Sequence, residues 1–344
     1  MSDAAEPSVT PDVGNTTLNS SDVVGELENI SKKIVDVRAA IGRIIFGQHS
    51  VVEESLITIL AGGHVLLIGV PGLGKTRLVE TLGTVLGLDE RRVQFTPDLM
   101  PADILGSEVL EEGEDGRRSF RFIQGPVFCQ LLMADEINRA SPRTQSALLQ
   151  AMQERRVSVA GHYHELPALF HVLATQNPLE QEGTYPLPEA QLDRFLMQVN
   201  IDYPQLAAER EILTATTGVD EEKAVQVMSA EDLQKAQRIV RHVPVGDGVM
   251  AAILDLVRSG RPTSSDIPEV IEHVAWGPGP RASQALMLAV RARAVIDGRF
   301  SPSIDDVLAL AQPVLRHRMA LNFAARAEGI TLEKVIDKLT SRIG

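Results

Sequence analysis

Residues 64–82 read HVLLIGVPGLGKTRLVETL, an apolar run, a glycine-rich turn and the start of an amphipathic segment in direct succession. Gly69, Val70, Pro71, Gly72, Leu73, Gly74, Lys75 and Thr76 fit the spacing G-x-x-x-x-G-K-[ST]. Glycines at those places let backbone N–H groups turn inward on phosphate oxygens. Lys75 can reach the terminal phosphates, and Thr76 offers a hydroxyl to Mg²⁺ at a helix N-terminus. The competing reading is an ordinary Gly-rich turn. Against it stands the context: the run His64 to Ile68 predicts a strand, and Leu78, Val79 and Leu82 predict a helix. Arg77, next in line, completes the expected nucleotide-binding set.

Outward from this loop, Leu131 to Glu136 (LLMADE) is an apolar strand ending in two carboxylates. Alone it is weak, because many buried strands end in an acid. Beside a phosphate loop, Asp135 is placed to hold Mg²⁺ through its water shell, and Glu136 to orient or deprotonate the attacking water. Leu169 to Ala174 forms another apolar run, followed by Thr175, Gln176, Asn177 and Pro178. Asn177 is either a turn-forming Asn-Pro residue or an amide that hydrogen-bonds the attacking water or the γ-phosphate. Arg194 stands just before the run Phe195 to Ile201, where it either pairs with an acid in its own chain or reaches a neighbouring subunit's γ-phosphate. Arg281, in WGPGPRA, is either a bare surface charge or a second phosphate sensor.

The apolar runs His64–Ile68, Val93–Phe95, Val127–Met133, Phe170–Ala174 and Phe195–Ile201 alternate with helical patterns, which indicates a mainly parallel sheet covered by helices. A helix is expected from Val23 to about Gly47, and Gly-punctuated hairpins within Asp98–Phe122 and Arg156–Phe170. After Tyr203 and Pro204 helical periodicity takes over: Ala230–Val243, Asp247–Arg258, Arg281–Asp297, Ile304–Arg318 and Leu332–Ile343. Ser229 with Asp232 and Ser303 with Asp306 read as N-terminal caps, and Gly298 as a helix stop. The expected organisation is a flexible Ser/Thr/Pro/Asp-rich tail over 1–22, an α/β nucleotide-binding domain over 23–204 and a small all-α lid over 205–344.

Across 344 residues, 33 Lys and Arg against 46 Asp and Glu give a net charge of −13, which disfavours a sequence-independent grip on nucleic acid or anionic lipid. Cys129 is the single cysteine, in an apolar run, so it reads as a core thiol and no intrachain disulfide can form. Neither a secretory signal nor an apolar stretch of about 18 residues is present, and a cytoplasmic protein is expected. His162 and His164 around Tyr163 read as a solvated loop, the charges from Glu111 to Arg118 as a hairpin tip, and Arg316, His317 and Arg318 as positive charge at a helix C-terminus. Leu286, Val290 and Ile296 read as lid core.

The order of phosphate loop, Asp135 and Glu136, Asn177, Arg194 and Arg281 resembles the AAA+ superfamily. The phrases FGQ (46–48), QFTPDLMPADILG (94–106), DEINRASP (135–142), QSALLQAMQ (145–153) and EGTYPLPEAQLDRF (182–195) resemble its MoxR branch. The resemblance runs from about Ile41 to the C-terminus. It implies a P-loop NTPase fold with a helical lid, Mg²⁺-dependent hydrolysis of ATP to ADP, and assembly into a ring, in the first instance a hexamer. It places Gly47 and Gln48 near the adenine, makes Asn177 sensor 1, Arg194 the arginine finger and Arg281 sensor 2, acting in cis or in trans, and turns the two hairpins toward a central pore or substrate. It further implies chaperone-like remodelling, maturation or activation of protein partners, often von Willebrand factor A domain proteins. Rival readings are a nucleic-acid motor, disfavoured by the acidic charge, a slow nucleotide-state switch, disfavoured by Glu136 and Arg194, and the motor subunit of magnesium chelatase.

Overall fold

The structure, a computed structural model, describes residues 20–112, 117–180, 183–218 and 222–343. Most of the expected tail, residues 1–19, lies outside the described residues, and the first helix already begins at Ser20.

The α/β part runs α1 (Ser20–Gly42), α2 (His49–Leu60), β1 (Val65–Gly69), α3 (Lys75–Val85), β2 (Glu90–Gln94), α4 (Pro101–Leu105), β3 (Gly106–Glu112), β4 (Arg118–Gln124), β5 (Leu131–Asp135), α5 (Pro142–Glu154), β6 (Arg156–Val159), β7 (His162–Glu165), β8 (His171–Gln176), α6 (Glu189–Leu192) and β9 (Met197–Ile201). Five strands form one parallel sheet in the order β2-β5-β8-β1-β9. β5 is buried at every residue, as a parallel strand covered on both faces must be, which is why these strands read as continuous apolar runs.

Two expected elements shift. The run Val127–Met133 becomes a strand only from Leu131, because Phe128 and Cys129 close a turn through Phe128 N–H to Gly125 O and Cys129 N–H to Val127 O. Val127, Phe128 and Cys129 still bury, in one cluster with Ile104 and Phe95, and an apolar run does not say which kind of element buries it. The helix expected through Gly47 stops at Gly42. Gly47 then has φ +68°, and a Cβ there would lie 2.3 Å from Ala208 Cβ, so the chain can pass that point only as glycine.

The remainder is α7 (Leu206–Thr216), α8 (Ala230–His242), α9 (Asp247–Ser259), α10 (Pro268–His273), β10 (Val274–Trp276), α11 (Pro280–Ile296), α12 (Ile304–Leu315), β11 (Ala320–Leu321), α13 (Phe323–Ala327) and α14 (Leu332–Ser341). Both capping boxes form, Ser229 with Asp232 and Ser303 with Asp306. The lid is helical except for the short antiparallel pair β10 and β11. One buried cluster joins Ile34 of α1, Leu56 of α2 and Leu67 of β1 to Leu233, Leu286 and Val307 of α8, α11 and α12. The helical part therefore shares a core with the sheet, and its seating fixes what lies at the sheet's edge.

Candidate functional site

The sequence folds locally into a glycine-punctuated turn between β1 and α3. β1 ends at Gly69, where a Cβ would approach Ile201 O to 2.8 Å, so a bare backbone is needed to turn away from β9. Gly72 and Gly74 have φ +84° and +75° with open space around them, so backbone conformation, not crowding, selects glycine there. Gly74 caps α3, whose first N–H groups, at Lys75 and Thr76, have no acceptor within the helix. Such an end attracts an anion. Lys75 Nζ donates to Gly69 O and, at 3.2 Å, to Val70 O. Burial pulls its pKa down, while the carboxylates of Asp135, Glu136 and Glu180 pull it up.

Gln48 Nε2 donates to Leu73 O at 2.9 Å, tying α2 to the loop. Beside it a cavity of about 130 Å³ is lined by Ile44, Ile45, Phe46, Gln48, Pro204 and Ile212, an apolar setting suited to a flat base. The Phe46–Gln48 phrase thus lies against the loop.

At the end of β5, Asp135 is 8 % exposed. Thr175 Oγ1 donates to its Oδ1 at 2.6 Å and Arg92 Nη2 to its Oδ2 at 2.5 Å. Glu136 follows in the left-handed region, φ 54°, which a non-glycine residue adopts at some strain. Its N–H donates to Thr175 Oγ1 at 2.8 Å, and its Oε2 accepts from Gln94 and Arg139. The hydroxyl of Thr175 therefore fixes both acids at once. Thr76 and Asp135 offer hard oxygen donors only, a set that fits Mg²⁺ and not a softer metal. Asn177 directly follows β8, which lies next to β1 in the sheet; it is buried, and its Oδ1 accepts from Leu179 N–H at 3.1 Å. The turn-forming role is present, at the same sheet edge as the loop.

Arg194 and Arg281 lie elsewhere. β9 runs parallel to β1 with Met197 beside Val65, so Arg194 sits at the start of the strands and the loop at their end. Five residues at about 3.3 Å each separate the two edges by roughly 17 Å. Arg281 shares the Arg194 edge, where Arg155, His64 and Gly62 complete the wall of a cavity of about 270 Å³. Arg194 Nε and Nη1 are enclosed without a hydrogen-bond partner among the described residues. Burial and the neighbouring Arg281 lower its pKa, against a pull from Glu154. Arg281 Nη1 stands 3.8 Å from Asp193 Oδ2. The chain thus brings together Gln48, Lys75, Thr76, Asp135, Glu136 and Asn177, and separately Arg194 and Arg281.

Sequence reading passed over Arg92, Gln94, Thr175 and Arg139. Gln94 lies inside one recognised apolar run, Thr175 directly follows another, and Arg139 stands three residues after Glu136, positions that carry a signal; Arg92 lies on an exposed strand position with none. Two surface readings also change. Arg318 is 2 % exposed and His317 3 %, both inside the protein and not on a solvated helix end. His164 stacks on Phe122 at 3.8 Å, docking the β6–β7 hairpin on β3–β4, so it is not a freely solvated loop.

Residues 64–197 match the family described as "ATPase family associated with various cellular activities (AAA)", and residues 270–339 match "AAA lid domain". The chain is 42 % identical over 322 residues to Chaperone MoxR1 of Mycobacterium tuberculosis, covering 93 % of this chain and 83 % of that one. It is 32 % identical over 304 residues to Protein MoxR of Paracoccus denitrificans, covering 83 % and 88 %. A crystal structure from Cytophaga hutchinsonii, of a protein whose assignment as an ATPase is itself provisional, superposes with a TM-score of 0.86 at 35 % identity, covering 93 % of this chain and 97 % of that one. Among the described residues no helix is long and apolar enough to cross a membrane.

Proposed function

This chain belongs to the MoxR family of AAA+ ATPases, and from that premise we propose that it hydrolyses Mg²⁺-ATP at a site completed by a neighbouring copy and uses the cycle to remodel a protein partner. The observation that carries the reading is the division of the machinery between two sheet edges: the phosphate loop with Asp135 and Glu136 on one, Arg194 and Arg281 on the other.

In this reading Gly69 to Arg77 hold the phosphates, with Lys75 leaving its loop carbonyls for the terminal oxygens. Gly47 and Gln48 flank the base. Thr76 and Asp135 would hold Mg²⁺, which supplies neutralisation of charge on the phosphate oxygens. Glu136, clamped by Gln94 and Arg139, takes the proton of the attacking water, and Asn177 orients that water or the γ-phosphate. An arginine about 17 Å from its own loop cannot serve its own nucleotide. Arg194 and Arg281 therefore act in trans, and heterologous contacts between successive copies close into a ring, most simply of six. Leu110 and Phe120, 53 % and 71 % exposed and paired across β3–β4, offer an apolar grip on a protein client. A von Willebrand factor A domain protein is the kind of partner the family suggests.

The test is steady-state ATPase rate against protein concentration for wild type and Arg194→Ala, with particle mass followed by light scattering. We expect specific activity to rise with assembly, and the variant to assemble normally while turning over ~10³-fold or more slowly. Flat activity per subunit with a normal variant would refute the trans assignment.

A further inference from the structure

A guanidinium buried after α12 holds the segment that carries Arg194. Arg318 Nε donates to Asp193 Oδ1 at 2.6 Å, and Nη2 donates to Phe195 O at 2.6 Å and Asp193 O at 3.4 Å. Its Nη1 donates to Leu196 O at 3.0 Å and, at 2.7 Å, to Val314 O in the last turn of α12. His317 Nε2 adds a bond to Phe195 O at 3.0 Å. The backbone carbonyls on both sides of Arg194 are thus taken by one side chain from the lid, while Arg194 itself keeps Nε and Nη1 without a partner among the described residues.

Packing does not require this. Burying a guanidinium is unfavourable unless nearly every donor is satisfied, and a leucine would fill the same space at less risk. What an apolar residue would not do is fix the backbone at 193–196 in one orientation. Asp193 is also held from a second lid helix, through Arg281 at the start of α11. Two lid elements therefore converge on the residue before Arg194.

We propose that Arg318 and Asp193 are positioning residues that aim Arg194 at the neighbouring subunit's γ-phosphate, so that the seating of α11 and α12 controls hydrolysis in the next subunit. The inference rests on the trans reading of Arg194 given above. It makes the lid of one subunit a regulator of its neighbour's turnover through Arg318, which itself touches no nucleotide.

The experiment uses full-length Arg318→Lys, which can satisfy at most three of the five acceptors, and Asp193→Asn, which keeps shape and removes charge. Thermal melting, particle mass, nucleotide affinity and turnover are measured for each variant, alone and mixed with Glu136→Gln. Both variants should assemble and bind nucleotide within about threefold of wild type, yet turn over ~10²-fold more slowly, the scale of a group displaced by about 1 Å. Mixing with Glu136→Gln should restore turnover, because each variant's own loop and acids are intact and the Glu136→Gln copy supplies a well-aimed Arg194. Should Arg318→Lys fail to fold, Asp193→Asn decides alone. Arg194→Ala mixed with Glu136→Gln is the reference: if that pair stays inactive, the trans reading falls and this inference with it. If the reference pair recovers while the positioning variants keep wild-type turnover, or lose it without rescue, Arg318 and Asp193 have only a structural or cis role and the proposal is overturned.

Discussion

Gln94, the last residue of β2, donates from Nε2 to Glu136 Oε2 at 2.8 Å, across the end of the strand that carries Asp135. The carboxylate is held in place in the absence of nucleotide, with Arg139 Nη1 on the same oxygen at 2.9 Å. Glu136→Gln preserves the shape of the side chain and removes the base. Turnover should fall ~10²–10⁴-fold. Affinity for ATP should stay within about threefold, because Glu136 lies outside the loop Gly69 to Thr76 proposed to hold the phosphates. Single-turnover hydrolysis beside a fluorescent-nucleotide titration checks both halves, and a variant that hydrolyses at the wild-type rate would remove Glu136 from the chemistry.

Lys75→Met separates binding from chemistry in the other direction. Lys75 Nζ rests on the Gly69 and Val70 carbonyls, within the field of Asp135, Glu136 and Glu180. Charge-assisted hydrogen bonds contribute about 1.5–3 kcal/mol each. Replacing the ammonium by a thioether should therefore weaken nucleotide binding by about 10- to 100-fold while leaving the fold unchanged. Competition titration against a labelled nucleotide reads this directly; equal affinity would show that the phosphates lie elsewhere.

Much of the fold, and the placement of the candidate site residues, was legible in the sequence because those residues sit where strands end. Gly69 to Thr76, Asp135 and Asn177 each follow an apolar run buried on both faces, and such runs are visible without knowing their neighbours. The pairing order β2-β5-β8-β1-β9 is not written in any one segment, and neither is the fact that Arg194 and the loop occupy opposite edges. That emerges only from the parallel register of β1 and β9. Arg318 was illegible for a different reason. A basic residue at a helix end looks the same in sequence whether its acceptors are water or the carbonyls of Phe195 and Leu196.

In the lid, Asp306 holds the start of α12. Its side chain is 3 % exposed and accepts from Arg299 Nη1 and Nη2 at 2.8 and 2.6 Å and from Ser303 N–H at 2.7 Å. Burial alone would raise its pKa, but the bonds from Arg299 and Ser303 prevail and hold it below the ordinary carboxylate range. A depressed folded-state pKa stabilises the protein above the unfolded value near 4, and that stabilisation is lost as pH falls through the folded value. Asp306→Asn should cost about 1–3 kcal/mol at pH 7. Below about pH 4 the gap to wild type should narrow. Urea denaturation at pH 7 and at about pH 3 gives both numbers, and a gap that widens in acid would contradict the assignment.

His171 and His64 make the protein acid-sensitive at a higher pH. Both are buried beneath the N-terminal ends of the strands, 1 % and 7 % exposed. His171 Nδ1 donates to Gly63 O at 2.9 Å, and His64 Nδ1 accepts from Val172 N–H at 3.0 Å, so His64 is needed in its neutral form. Burial lowers the His171 pKa to about 4. Burial, and then the neighbouring His171, lowers that of His64 to about 3. In the unfolded chain both titrate near 6.5. Between 6.5 and these folded values the unfolded chain binds protons that the folded one does not, so stability must fall as pH falls, by up to about 1.4 kcal/mol per unit for each histidine. From pH 7.5 to 5.5 the pair should remove about 2–3 kcal/mol. His171→Gln, which starts less stable because the ring's packing is lost, should show a shallower dependence over the same window. Urea midpoints at half-unit intervals decide the matter: parallel curves for variant and wild type would assign the acid loss to other groups.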